Sequence, residues 1–253
     1  GESFANTVVS NNGSYGIHTS AGNTFTDNEV LNNGSYGIYT ATGNTFTDNE
    51  VLGNGGYGIH SDAGDTFENN TVNENHEYGI YTATGSTFIS NEVSGNINSY
   101  GIHSDAWNLQ PGGEHFESNT VIGNGGYGIY TFSGNTFVQN TVNDNGDYGI
   151  NTDAGDSFTN NEVTGNGGFG IDTDTGNFFD NNTVSANGSW GINTDTGETF
   201  DGNTIEDNGS FGIDTDTGVL FTSNVVSGNE GFGINTDTGE TFDGNTIEDN
   251  GSF

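Results

Sequence analysis

Five aspartates, Asp153, Asp174, Asp195, Asp216 and Asp237, recur at intervals of 21 residues, and Asp172 and Asp214 alternate in the same rhythm with Asn151, Asn193 and Asn235. Paired carboxylates about 5–9.5 Å apart can hydrolyse a glycosidic bond. Carboxylate and amide oxygens together can also ligate calcium. The stretch "DTDTG" at Asp172–Gly176 and Asp214–Gly218 opens like a calcium loop but lacks its length and its later Glu. A periodic chain offers carboxylate pairs at every repeat, so their presence does not indicate a hydrolase. Two carboxylates about 5 Å apart repel by roughly 1 kcal/mol in water and by about 3–4 kcal/mol at an effective dielectric near 20. Such a column calls for a counter-charge. The candidates are calcium held by Asp153, Asp172, Asp174, Asp195, Asp214, Asp216 and Asp237, or high monovalent salt, whose Debye length at about 1 M is roughly 3 Å. No other cofactor is called for.

The remaining composition excludes much. The 253 residues include 35 Asp and Glu, no Lys, no Arg and no Cys, for a formal charge of −35. Phosphate recognition runs on Lys and Arg, which excludes nucleic acid as a partner. No apolar run reaches the roughly 20 residues of a membrane span. The five His all precede residue 116; His18, His60 and His103 share a repeat position but are separated by Tyr39 and Tyr81, and point to no metal site. Sequons stand at Asn12, Asn33, Asn69, Asn181, Asn187, Asn208 and Asn250, which makes glycosylation an expectation for an exported chain.

What positions these residues is a repeat. An aromatic-Gly-Ile triplet begins at Tyr15, Tyr36, Tyr57, Tyr78, Tyr100, Tyr127, Tyr148, Phe169, Trp190, Phe211 and Phe232, and "GINTDTGETFDGNTIEDNGSF" occurs verbatim at Gly191–Phe211 and Gly233–Phe253. Counting the aromatic residue as position 1, Ile holds position 3, Thr or Ser position 5, Gly position 8, Phe position 11, Asn positions 14 and 19, and Val or Ile position 16. Hydrophobic residues make up 28%, which at this charge would suggest disorder were they not so regularly placed. A glycine every few residues excludes a helical solenoid. Three short β-like pieces per period instead predict a triangular coil with sides of about seven residues, stacked in parallel sheets at about 4.8 Å. Ile, Phe and Val then form three internal columns, which a stack can bury although one coil cannot. The asparagines Asn28, Asn49, Asn70, Asn91, Asn119, Asn140, Asn161, Asn182, Asn203, Asn224 and Asn245 are expected to stack as a ladder and to tolerate the left-handed corners. Position 5 is expected to point inward, which leaves no flat threonine array for ice. The aromatic column is expected to pack in the core or at an edge; exposed, its rings would stack on sugars. Coil four carries an extra residue near Ile97–Asn98, residues 107–112 form a loop insert bearing Trp107 as a candidate ligand anchor, and the first partial coil looks irregular around Phe4–Asn6.

This pattern resembles the right-handed parallel β-helix superfamily of pectate lyases, in particular its Asn-rich repeats found in carbohydrate-binding and sugar-hydrolase proteins. The resemblance implies an all-β right-handed parallel β-helix of about twelve 21-residue coils with three short parallel sheets, a single repeat domain over residues 1–253. Within that superfamily "GINTDAGDS" at Gly149–Ser157 resembles the Asn-Thr-Asp stretch of polygalacturonases, but the same triplet recurs at Asn193 and Asn235 as part of the repeat. The related lyases need an Arg or Lys base, which this chain lacks. The expectation is therefore no enzyme. It is instead an extracellular or cell-surface structural rod, part of a longer solenoid or stacking with itself end to end or laterally. The alternative is a carbohydrate-binding adhesin that recognises surface glycans.

Overall fold

The computed structural model describes residues 1–105 and 113–251. Among these residues, thirty-five strands of two to four residues form three parallel sheets, two of twelve strands and one of eleven, in strictly sequential order. One sheet carries the Phe column, from the Phe4–Phe25 pair to the Phe221–Phe242 pair. The second carries the Val/Ile column of position 16, and the third the Ile column of position 3. Between the rod's ends these three columns are fully buried and make up the core. The phenylalanine rings lie nearly parallel, 4.6–5.1 Å apart. Register survives the insert, since Phe88 pairs with Phe116 although 28 residues separate them.

The sides are not equal. Left-handed residues mark three corners in every complete coil but the fifth, where Gly113 is not left-handed, as at Gly22, Asp27 and Asn32, followed by Gly43 in the next coil. Two sides thus span five residues and the third eleven, because each corner consumes only a left-handed residue and the ladder residue after it. This corrects the expected seven-residue sides. It also moves the left-handed role: Asn28 and Asn33 are ladder residues, and the residue before each takes the positive φ. That residue is often not Gly, as at Glu74, Ser90 and Gln139, each with φ of 54–55°. Such a backbone costs about 1–2 kcal/mol for an ordinary residue, and the ladder beside it supplies the compensation.

Both Asn ladders are complete. Asn161 Oδ1 accepts from the backbone N–H and the side-chain Nδ2 of Asn140, at 2.9 and 3.0 Å. Its own Nδ2 donates to Phe137 O and to Asn182 Oδ1, each at 3.0 Å. The first partial coil is regular after all: Asn6 takes the left-handed corner with φ 50°, and Thr7, in the ladder slot, donates its backbone N–H to Asn28 Oδ1 at 3.1 Å. The glycine after each aromatic is there for space. A Cβ on Gly149 would lie 2.5 Å from Val163 Cγ1 and 2.6 Å from the Gly170 carbonyl.

Candidate functional site

The long side of each coil carries the outward-facing positions 1, 4 and 6, and here the rod has two zones. From coil one to coil six, position 4 reads His18, Tyr39, His60, Tyr81, His103 and Tyr130, next to the tyrosines of position 1. From coil seven onward it reads Asn151, Asp172, Asn193, Asp214 and Asn235, next to Phe169, Trp190 and Phe211.

In the first zone two columns of half-buried rings run side by side. His60 lies stacked between Tyr39 and Tyr81, at 4.7 and 4.8 Å, and His103 stands edge-on to Tyr81 and Tyr130, at 5.1 and 4.9 Å. Tyr36–Tyr57 and Tyr100–Tyr127–Tyr148 are parallel at 4.5–4.8 Å, whereas Tyr78 stands across its neighbours at 68° and 63°. Most flat faces are therefore spent on the next ring, each such pair contributing about 0.5–1.5 kcal/mol. This removes the flat stacking faces expected for a sugar, since along most of the strip each ring face is covered by the next ring. Burial pushes up the phenols of Tyr36, Tyr57, Tyr81, Tyr100, Tyr127 and Tyr130, Tyr81 and Tyr127 to about 12, so these stay protonated donors. Tyr81 donates to Asp105 Oδ2 at 3.0 Å. Burial also holds His60 and His103 below the usual imidazole value, opposed by Asp62 and Asp105 respectively, so both are neutral at pH 7. The Nδ1 of each is buried without a partner. A neutral imidazole edge, protonated phenols and carboxylates form a hydrogen-bonding strip suited to hydroxyl groups, and with no Lys or Arg in the chain it holds no fixed positive charge.

In the second zone the Asn/Asp alternation is used internally. Asp172 accepts from Asn151 Nδ2 and Asn193 Nδ2, both at 2.7 Å, and Asp214 accepts from Asn235 Nδ2 at 2.5 Å. Burial nevertheless raises the Asp172 carboxyl above its usual range. At position 6 the backbones of Asp153, Asp174, Asp195, Asp216 and Asp237 form a ladder of N–H···O bonds of 2.6–2.9 Å. Burial, and then Asp174, raise Asp153. Among the described residues no three His, Asp or Glu side chains converge on a position that could hold a metal ion. Trp107 lies outside the described residues. Of the sequon asparagines, Asn33, Asn187 and Asn208 are buried in the ladder, whereas Asn69 and Asn181 are exposed at left-handed corners.

The right-handed β-helix region family matches residues 3–97, 44–184 and 134–253. The chain belongs to that family. A search of curated protein sequences gives no significant match. Among solved structures the chain is similar to the mannuronan C-5 epimerase AlgE6 A-module of Azotobacter vinelandii, at 15% identity and a TM-score of 0.72, covering 97% of this chain and 80% of that one. It is also similar to the periplasmic alginate epimerase AlgG, as a T265N T268M double mutant, at 13% identity and a TM-score of 0.55 over 95% and 71% of the two chains. A third likeness is to the catalytic unit of a GH87 α-1,3-glucanase from Streptomyces thermodiastaticus, at 14% identity and a TM-score of 0.52 over 94% and 57%. At these identities the likeness shows the fold, which is shared with carbohydrate-active enzymes and epimerases. It overturns the expectation of a non-enzyme: these neighbours are enzymes, so a plain β-helix gives no ground for excluding catalysis.

Two features escaped the sequence reading: the packing of the His/Tyr column against the Tyr column, and a third buried ladder at position 9. The first was visible as adjacent aromatic positions. The second was hidden by its mixed residue types.

Proposed function

We propose that this chain is a polysaccharide-binding β-helix acting outside the cytoplasm, which lays a neutral glycan along the Tyr/His strip of coils one to six. The observation that carries this is the strip itself, two axial columns of Tyr and His rings in which burial keeps His60 and His103 neutral and Tyr81 and Tyr127 protonated. Three solved neighbours are named for acting on mannuronan, alginate and α-1,3-glucan, and one of them is named as periplasmic, which supports the polymer class and the location. The charge of −35 separates this chain from the uronate polymers among those, because an anionic glycan would approach an anionic rod with no cation to receive it. Affinity electrophoresis through gels containing a β-glucan, a mannan, a galactan or a polyuronate tests the reading. Retardation is expected by at least one neutral polymer, reduced several-fold in the His60→Ala/His103→Ala double variant. Retardation by the polyuronate alone, or by none, refutes it. Assaying released reducing ends in parallel reads whether binding is followed by cleavage.

A second reading, a rigid structural rod that assembles with itself, is favoured by the unbroken register of all three sheets across the insert. At about 4.8 Å per coil the twelve rungs span about 55–60 Å. Electron microscopy in high salt should then show fibres many times that length; isolated short rods exclude assembly.

A further inference from the structure

Position 9 is the ladder slot of the third corner, next to the left-handed glycine. It is buried from Asn23 to Val219, yet its residues differ in type. From coil three onward it reads Asp65, Ser86, Glu114, Asn135, Asp156, Asn177, Glu198, Val219 and Glu240: an acid in every odd coil and a neutral residue in every even one. Four of these acids, Asp65, Glu114, Asp156 and Glu198, are 1–3% exposed, and no Lys or Arg exists to pair with them. A buried unpaired carboxylate is costly unless it is neutralised.

The slot is built for an amide. Asn44 accepts the Asn23 backbone N–H at 3.0 Å and donates its Nδ2 to Ala41 O at 2.5 Å and to Asp65 Oδ1 at 3.0 Å. Asp156 receives the corresponding bonds from the Asn135 backbone N–H and Nδ2, at 2.6 and 2.9 Å, and a third from Thr152 Oγ1 at 2.9 Å. Asp65 likewise accepts the Asn44 backbone N–H at 2.6 Å, and Glu198 accepts the Gly176 backbone N–H at 3.0 Å. An ionised carboxylate can accept but not donate. A protonated one has the amide's shape and restores a donor.

We propose that Asp65, Asp156 and Glu198 are the proton-carrying members of this third ladder: they stand in for asparagine as neutral carboxylic acids, so that the rod is tightest in mildly acidic surroundings and loosens as they ionise. This is independent of glycan binding. The charged neighbours are all of like sign. Asp153 lies beside Asp156, Asp62 shares the corner of Asp65, and Asp195 shares that of Glu198. Along the ladder the next acids, Glu114 and Glu240, are separated from these by one neutral coil. The surroundings point the same way. Burial raises all three carboxyls, Asp156 to about 7, against opposing hydrogen bonds from Ser61, Asn44 and Thr82, from Asn135 and Thr152, and from Gly176, Thr194 and Thr215.

A folded-state value above the ordinary one gives stability that is whole below about pH 4 and lost as pH rises through the folded value. For Asp156 the window is about pH 4 to about 7. Within it each retained proton changes the unfolding equilibrium about tenfold per pH unit. His60 and His103, shifted downward, act in the opposite sense below about pH 6.5, and they cancel between variants that both retain them.

The test compares thermal unfolding of the parent with Asp65→Asn/Asp156→Asn/Glu198→Gln in 1 M NaCl, which screens the surface charge. From pH 5 to pH 8.5 the parent's Tm is expected to fall relative to that of the triple variant, which becomes the more stable protein at the alkaline end. Parallel curves overturn the proposal. A carbon-13 titration of the Asp156 carboxyl in the parent decides the matter even if the variant does not fold. A midpoint above about 6 supports the proposal, and a lower one overturns it.

Discussion

Replacing Asn161 by Ala removes one rung of a ladder while leaving the sheets untouched. The side-chain oxygen of Asn161 is the acceptor for the Asn140 backbone N–H, and its nitrogen donates to the Phe137 carbonyl. Both partners sit in the interior, so the variant orphans a buried donor and deprives a buried acceptor. At about 1–3 kcal/mol for each such group the cost is about 2–6 kcal/mol. Asn160 next door is exposed, with φ 54°, and Asn160→Gly should lie within about 1 kcal/mol of the parent because glycine accepts that backbone. The assay is urea unfolding followed by far-ultraviolet circular dichroism. Solenoid stability is close to a sum of neighbouring-coil terms, so a mid-rod defect should split one transition into two as well as lower its midpoint. A single transition for Asn161→Ala, within about 1 kcal/mol of the parent, would refute the idea that the ladder holds the corners.

Other substitutions probe other parts of the rod. Gly149→Ala should destabilise by about 1–3 kcal/mol in the same assay, because its methyl would meet Val163 and the Gly170 carbonyl. Phe158→Ala opens a cavity between Phe137 and Phe179, its stacking partners at 4.8 and 4.9 Å, and should cost about 3–5 kcal/mol. The exposed aspartates of position 6 should make Tm climb with NaCl up to about 1 M. Calcium and magnesium at equal ionic strength should then act alike by calorimetry; a rise specific to calcium would assign Asp174, Asp195 and Asp216 to a cation site instead.

The fold was legible because Ile, Phe, Val and two asparagines keep their identities from coil to coil, and identity at a fixed period is what a parallel stack requires. The corners were less so. Left-handed geometry at Glu74, Ser90 or Gln139 leaves no mark on residue type, since the neighbouring ladder imposes it. Position 9 was hidden for the opposite reason: what repeats there is a buried slot, and Asn, Asp, Ser, Glu and Val all occupy it. The aromatic strip was half legible. Its columns could be read from Tyr and His at fixed positions, but the rings' contact with one another, which decides what face a sugar would meet, depends on side-chain rotation. Catalysis was wrongly dismissed because missing Lys and Arg exclude one lyase route and say nothing of others on the same scaffold.

The alternation of acid and neutral residues in the third ladder has a consequence for how such a gene can lengthen. Excising one 21-residue coil, for instance the one carrying Asn177, would set Asp156 and Glu198 on adjoining rungs about 4.8 Å apart. The same cut would remove Asp172 and leave Asn151 facing Asn193. Single-coil gains or losses therefore break parity at two columns at once, and growth by pairs preserves it. The unchanged segment Gly191–Phe211 reappears 42 residues on and not 21. That unchanged copy keeps the two-coil step and with it the parity of both columns.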